Sequence, residues 1–384
     1  MIKIISRKSD LAIIQAQLVG DAIKTKKNNI SLDYIYKDTK GDIDLTTPLS
    51  QLPEIGVFTS DLRESLINEE ADLAVHSWKD LPIKLTKGTK IVGTLPRADM
   101  RDIIFFKRKN IEKIKKYKNL TLLTSSPRRE YNLSSFLNDA LPFETIKINF
   151  ENIRGNIPTR LNKYFNGESD AIVLAKAAID RLLANGDSNL SIKIREVINN
   201  SIWLIPPLSE NPCAPAQGAI AIEVKDGRED IINLVEAIND PKTFESAQVE
   251  RKILSSYGGG CHQKIGVSYE KNSFGDVLTL KGITDENITL DKRIIDRKVK
   301  DKKNWYGVDV DKIYPSNIGD YKLFSRENIK EKTKKIGALR SKNILATRGN
   351  VLDIKDKIDS SNILWTSGVK TWFQLAKKGF WVNG

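Results

Sequence analysis

The sequence predicts an α/β protein of two or three domains. Short apolar runs alternate with segments of helical spacing from the first residues onward, a rhythm that gives parallel sheets with helices on both faces. The same rhythm starts again near residue 102. The length, 384 residues, suits domains of roughly 100–200 residues each.

The elements follow in order. IKIIS (2–6) is a short apolar strand, and SDLAIIQAQLVGDAIKTK (9–26) has helical spacing with Ser9 or Asp10 as N-cap. LDYIYK (32–37) is a strand, followed by a polar loop marked by Gly and Pro. FTSDLRESLINEEA (58–71) is a helix and DLAVHSW (72–78) a buried strand. In the second unit, DIIFFK (102–107), LTLLTSS (120–126) and FETIKIN (143–149) are strands, while PRREYNLSSFLN (127–138) and NIPTRLNKYFN (156–166) are helices. SDAIVLAKAAIDRLLANG (169–186) is a strand running into a helix, and WLIPPLS (203–209) breaks on two prolines. A third region opens with the strand GAIAIEV (218–224), continues through two helices, and ends in alternating segments that predict antiparallel strands. The residues beyond about 300 are lysine-rich, and a small αβ piece follows Lys342.

Composition narrows the function classes. Hydrophobic residues are 40% and charged residues 29%, ordinary for a globular protein. No apolar run reaches the ~18 residues of a membrane span, and MIKIISRKSD lacks the pattern of a secretory signal. Two cysteines, Cys213 and Cys261, need no disulfide framework, which makes a reducing cytoplasm the expected compartment. With two histidines, His76 and His262, a zinc site of Cys and His is nearly excluded; no metal is expected. The net charge of +13 raises nucleic acid as a partner, but the lysines lie in short solvated runs such as KTKK (24–27) and KEKTKK (330–335).

The arginines are more informative, because several stand where a strand hands over to a helix, the place where anion sites form. His76-Ser77-Trp78-Lys79-Asp80 ends an apolar strand, and ligands bind outside the carboxyl ends of strands in open α/β sheets. Lys79 and Asp80 therefore stand where a catalytic pair would, or form a turn with a surface ion pair. Thr124-Ser125-Ser126-Pro127-Arg128-Arg129 combines hydroxyls, helix-start N–H groups and two guanidiniums in an anion cradle; the plainer alternative is an N-cap followed by surface charge. Arg154-Gly155-Asn156-Ile157-Pro158-Thr159-Arg160 repeats that shape, with Pro158 in the first helical turn. Arg7 and Arg181 add to the set, which suggests a ligand with several carboxylates. Gly258-Gly259-Gly260-Cys261 leaves a thiol on an open glycine loop, better suited to attachment than to nucleophilic attack; a buried cysteine at a helix end is the alternative. Cys213, between prolines, reads as structural.

Taken together, ISRKSDLAIIQAQLV, TKGD (39–42), HSWKDLP, TSSPRRE, RGNIPTRL, DAIVLAKAAIDRL, PAQGAIAIE and ERKILSSYGGGCHQKIG resemble, in order and over about residues 1–300, the porphobilinogen deaminase (hydroxymethylbilane synthase) family. The resemblance implies two doubly wound domains facing each other across a cleft, like a type II periplasmic-binding protein, plus a small α/β domain carrying the cofactor cysteine. The expected division is 1–96 with 203–219, then 97–202, then 220–310, with an extension over 311–384. The resemblance also implies a dipyrromethane cofactor, thioether-linked to Cys261, on which four porphobilinogen units are joined head to tail with loss of ammonia before water releases hydroxymethylbilane. By the motif match Lys79, Ser126, Thr124, Arg128, Arg129 and Asp42 hold the cofactor. Arg7, Ser9, Gln15, Arg154, Arg160, Arg181 and Gln217 hold substrate or growing-chain carboxylates. Asp80 is the catalytic aspartate, facing the positive charge that develops as ammonia leaves. The implied protein is a cytoplasmic monomer whose partners are porphobilinogen and the growing polypyrrole, with neither nucleic acid nor membrane. Its rival is a non-catalytic binding module of the same fold.

Some positions depart from the family pattern. Ile55 to Leu62 reads IGVFTSDL, so two basic residues usual near the cleft, at Ile55 and Ser60, are missing. Asp10 and Pro127 replace a usual proline and leucine, and His262 follows the cysteine where glutamine is common. ILATRGNV and ILWTSGVKTWFQLAKKG in the extension resemble pieces of uroporphyrinogen-III synthase, which acts next in tetrapyrrole synthesis. The alternative is an αβ extension that caps the third domain.

Overall fold

The structure, a computed structural model, describes residues 1–39, 59–83, 87–184, 186, 188–259, 263–297 and 335–384. The first lobe contains β1 (Ile2–Arg7), α1 (Asp10–Lys26), β2 (Leu32–Lys37), α2 (Ser60–Ile67), β3 (Leu73–Ser77) and β4 (Thr89–Gly93). Strand alternation assigns β1's neighbours to opposite faces: Ile4 packs with Ala16, Val19 and Ile23 of α1, and Ile5 with Leu62 and Leu66 of α2. The second lobe contains β5 (Asp102–Lys107), α3 (Ile111–Tyr117), β6 (Asn119–Leu123), α4 (Pro127–Ala140), β7 (Lys147–Glu151), α5 (Ile157–Asn166), β8 (Ala171–Ala175), α6 (Lys176–Ala184), α7 (Asn189–Asn199) and β9 (Ser201–Leu204). Here Ile104 and Phe106 face one layer while Ile103 and Phe105 face the other.

Both sheets are mixed rather than parallel. The first runs β2-β1-β3-β10-β4, with β10 (Ile220–Lys225) antiparallel to β3 and β4. The second runs β7-β6-β8-β5-β9, with β5 antiparallel to β8 and β9. The two orders are equivalent, and the reversed strand is in each case the first strand after the chain crosses between lobes. Each enters its sheet straight from that crossing, without the crossover helix that a parallel strand requires.

This topology corrects the expected third-domain boundary. The strand expected to open that domain lies inside the first sheet, and α8 (Glu229–Glu236) packs beside it through Ile231, Leu234 and Val235. The third unit starts with α9 (Pro241–Ser255), capped by Asp240, whose Oδ1 accepts the Thr243 N–H at 2.7 Å. It continues as an antiparallel sheet of β11 (Gly266–Asn272), β12 (Gly275–Ile283) and β13 (Thr289–Arg297).

Among the described residues, the extension (335–384) packs on the second lobe and not on the third unit. Its two parallel strands, β14 (Asn343–Ala346) and β15 (Ile363–Thr366), and α10 (Val369–Ala376) pack on the second lobe. Leu364, Trp372, Leu375 and Phe380 join the cluster formed by Phe106, Phe136 and Leu137. Trp372 Nε1 donates to the Ala140 carbonyl at 2.9 Å, at the end of α4. The edge strand β9 is covered as well: Asn383 Nδ2 and Trp381 Nε1 donate to the Trp203 carbonyl at 2.8 and 3.1 Å, and the Ile205 N–H donates to the Asn383 carbonyl at 2.8 Å. An uncovered strand edge is a template for unwanted pairing.

The two crossings touch. Gly218 has φ +88°, and a Cβ there would lie 2.6 Å from the Ala98 carbonyl oxygen, so only glycine fits. The Ala98 N–H donates to the Gly218 carbonyl at 3.2 Å.

Candidate functional site

A cleft of about 540 Å³ opens between the lobes. The ends of β1 and β3 bring Arg7, Ser77, Lys79 and Asp80 to it from one side. From the other side, the start of α5 brings Arg154 and Arg160, and α6 brings Arg181. Ser9, Gln15, Arg129 and Gln217 complete the set of expected site residues on the lining.

Local sequence explains the placements. β3 gives way to a single 3₁₀ turn at Trp78–Asp80. Trp78 is buried in that turn against Phe244, with ring centroids 5.3 Å apart, while Asp80 is exposed to the cleft. Arg251 pins the end of the turn by donating to the carbonyls of Leu81 and Pro82 at 3.1 and 2.5 Å. Gln15 shares a hydrogen bond with Ser77 Oγ at 3.0 Å. Asn156 caps α5, its Oδ1 accepting the Thr159 N–H at 3.0 Å. Arg160 Nε then folds back to the Gly155 carbonyl at 2.7 Å, and Arg181 Nη2 reaches the Gly218 carbonyl at 2.7 Å.

The lining carries seven basic side chains, Lys8 joining the six named, against the carboxylates of Asp10, Asp38 and Asp80. Lys8 lies 3.8 Å from Asp38. Among the described residues neither Lys79 nor Asp80 has a hydrogen-bonded or ion-pair partner for its side chain. Burial pushes the Lys79 ammonium below its usual value; Asp80 opposes this and Arg129 adds to it. Burial, then Arg129, push Arg160 down to about 10 against the pull of Asp80, and burial does the same to Arg181. Among the described lining residues cations outnumber carboxylates, and Arg160 and Arg181 are partly desolvated, a lining that suits a polyanion.

The TSSPRR segment is divided. Arg129 lines the cleft, but Thr124, Ser126 and Arg128 stand outside its lining. Thr124 is buried and its hydroxyl accepts the Ser126 N–H at 3.2 Å; Ser126 caps α4. Arg128 is buried and spends its guanidinium on Asp102, Asn211 Oδ1 and the Pro212 carbonyl, at 2.9, 3.0 and 2.7 Å. In this arrangement all three make bonds within the cleft wall. Asp42, Cys261 and Ile55 lie outside the described residues. Ser60 opens α2. Cys213 is buried with Sγ 3.2 Å from the Val267 carbonyl, and burial, then Glu250, push its thiol up.

Two buried carboxylates behind the cleft were absent from the expected site. Glu223, on β10 beside β3, holds Arg63, Thr89 and His76 at 2.6, 2.6 and 2.9 Å. Asp102 gathers both arginines of TSSPRR. Each is a lone acid in an apolar strand, and a buried charge requires a partner. That was the available signal. Among the described residues no cluster of three or more His, Cys, Asp or Glu could hold a metal, and no helix is long and apolar enough to cross a membrane.

Comparison with known proteins agrees with this geometry. Residues 2–233 match the family described as "Porphobilinogen deaminase, dipyromethane cofactor binding domain". The porphobilinogen deaminase of Caldicellulosiruptor saccharolyticus is 37% identical over 267 residues, covering 69% of this chain and 83% of that one. That of Campylobacter fetus subsp. fetus is 33% identical over 286 residues, covering 74% and 85%. A probable porphobilinogen deaminase of Picrophilus torridus is 34% identical over 296 residues, covering 77% and 95%. A cation-lined cleft, a dipyrromethane-binding domain and this breadth of identity agree: the chain belongs to the porphobilinogen deaminase, or hydroxymethylbilane synthase, family.

Proposed function

We propose that the interlobe cleft is where this chain joins porphobilinogen units, with Asp80 as its catalytic carboxylate. The observation that carries this is Asp80 itself: a carboxylate exposed to the cleft at the end of β3, set among seven basic side chains. Porphobilinogen and its oligomers carry an acetate and a propionate on every pyrrole, so the lining suits them. When bound, the dipyrromethane supplies the terminal pyrrole to which units are added. Arg7, Arg154, Arg160 and Arg181 hold carboxylates of substrate and growing chain, each charge-assisted bond contributing roughly 1.5–3 kcal/mol. Lys79 and Arg129 face the cofactor side. The Asp80 carboxylate accepts pyrrole N–H groups and stabilises the positive charge that develops on the substrate as ammonia leaves. Ser77 and Gln15 brace the strand end beside it. A lining of seven cations and three carboxylates, Asp80 among them, serves a reaction whose reactants are polyanionic and whose transition state is locally cationic.

Cys261 is the attachment point in this reading. The reaction takes place in the cytoplasm on a monomer, as the family resemblance implies. Residues 340–384, despite their resemblance to uroporphyrinogen-III synthase pieces, serve here as a structural layer of the second lobe.

The test is the intact mass before and after brief incubation with porphobilinogen, with peptide mapping. A two-pyrrole adduct on the Cys261 peptide followed by a ladder of one-pyrrole steps is expected. An unmodified mass that stays unmodified removes the mechanism from this chain and leaves a binding module of the same fold.

A further inference from the structure

Asp102 opens β5 directly behind the cleft wall and is 1% exposed. Five donor contacts converge on it. Arg129 gives Nη2 at 2.7 Å and Nε at 3.1 Å; Arg128 gives Nη2 at 2.9 Å. Asn211 Nδ2 and Gln217 Nε2 reach it at 2.9 and 3.0 Å. A carboxylate offers about four lone-pair sites, so Asp102 is saturated. Two of its partners, Arg129 and Gln217, line the cleft. Asn211 and Gln217 belong to the segment that crosses back to the first lobe, where Gln217 Nε2 also reaches the Met100 carbonyl at 2.7 Å, on the other crossing.

We propose that Asp102 is a positioning residue for the anion-binding wall, aiming Arg129 and Gln217 into the cleft and tying both to the crossing between lobes. The inference rests on the reading of Arg129 as a ligand-facing group. Asp102 takes one edge of the Arg129 fork, Nε and Nη2, in a bidentate grip that fixes the plane of the guanidinium. Nη1 lies 3.4 Å from the Val173 carbonyl, a long contact, so the other edge keeps donor capacity for a ligand. Two guanidiniums against one carboxylate leave one net positive charge, enough to match one ligand carboxylate. Because the same carboxylate holds Asn211 and Gln217, a ligand that pulls on Arg129 also pulls on the crossing.

The test is a double-mutant cycle on the full chain with Arg129→Lys, Asp102→Asn and both together. Three quantities are read: the fraction of purified chain carrying the two-pyrrole mass, KM and kcat for porphobilinogen, and the thermal melt. Asp102→Asn is expected to lower cofactor occupancy, or raise KM, at least fivefold, and to add less than twofold once Arg129 is Lys. That non-additivity is what a merely structural carboxylate would not produce. Effects that simply multiply in the double variant overturn the proposal. If Arg129→Lys lowers occupancy or raises KM and Asp102→Asn does neither, the reading of Arg129 stands and the proposal falls. If Arg129→Lys changes neither, the reading of Arg129 fails and takes the proposal with it. Should Asp102→Asn fail to fold, Asn211→Ala removes one donor from Asp102 without altering a cleft residue. It is expected to shift occupancy or KM at least threefold; a folded Asn211→Ala chain with normal values of both overturns the proposal.

Discussion

Replacing Trp372 with Ala removes the central side chain by which the extension grips the second lobe. Trp372 is 1% exposed, meets Phe136 edge-on with centroids 5.4 Å apart, and donates to the Ala140 carbonyl. A buried Trp removes about 200 Å² from water, worth about 5 kcal/mol at ~25 cal/mol per Å². The methyl of Ala retains about 1 kcal/mol of that, which leaves a loss of about 4 kcal/mol, inside the ~3–5 kcal/mol typical of Trp→Ala in cores. The Ala140 carbonyl, one of the last in α4 and without an intrahelical partner, also loses its donor. Trp372→Phe keeps most of the area and isolates the hydrogen bond, at about 1 kcal/mol. Unfolding of a three-unit chain need not be two-state, so the assay is local: amide exchange of the peptide covering 127–140. A loss of 4 kcal/mol speeds its slowest amides by about a thousandfold, provided they exchange through opening of this lobe. The reasoning is refuted if Trp372→Ala frees the amides of residues 363–376 while those of 127–140 keep their protection, because the extension would then be a removable coat.

Asp80→Asn is expected to keep the two-pyrrole mass while kcat falls on the order of 10²–10³-fold; near-normal turnover removes Asp80 from its role. Burial would raise the Glu223 carboxyl, but His76, Arg63 and Thr89 outweigh it and hold it at about 2, against an ordinary 4.5. A depressed carboxyl stabilises the fold above its unfolded value and loses that contribution as pH falls through the folded one. An acid limb worth on the order of 3 kcal/mol is therefore expected between about pH 4.5 and about pH 2, seen as falling melting temperature; Glu223→Gln should flatten it, and an unchanged limb contradicts the network. Gly218→Ala forces a methyl to 2.6 Å from a carbonyl oxygen at φ +88° and should destabilise by at least ~1–3 kcal/mol, measured by denaturant midpoint; a neutral effect would mean that the crossings move apart freely.

The lobes were legible because strand alternation and helical spacing are local. Ile4 and Ile5 already face opposite ways in the sequence. The direction of β10 was not legible: GAIAIEV reads the same in either direction and in either domain, and only its pairing with His76 and Val75 assigns it to the first sheet. Of the expected site, residues at strand ends and helix starts, such as Asp80, Arg154 and Arg160, came together in the cleft, because topology alone carries such positions to one rim. Arg128 and Arg129 were indistinguishable as neighbours in sequence. A helix turns about 100° per residue, so one guanidinium meets the cleft and the other meets Pro212. Asp102 and Glu223 were missed because their partners are remote in sequence: Arg128 and Arg129 are 26 and 27 residues from Asp102, and Arg63 is 160 from Glu223.

The bond from Trp372 to Ala140 spans 232 residues. At roughly 5–20 residues per second of synthesis, on the order of 10–50 seconds separate the making of α4 from that of the tryptophan that closes over its end. During that interval Phe106, Phe136 and the edge of β9 have no permanent cover. The lobe that carries Arg129 is thus the last to be finished, although its first strand precedes the whole third unit. Cofactor capture by a nascent chain must wait for the extension, or proceed on a lobe whose outer layer is still missing.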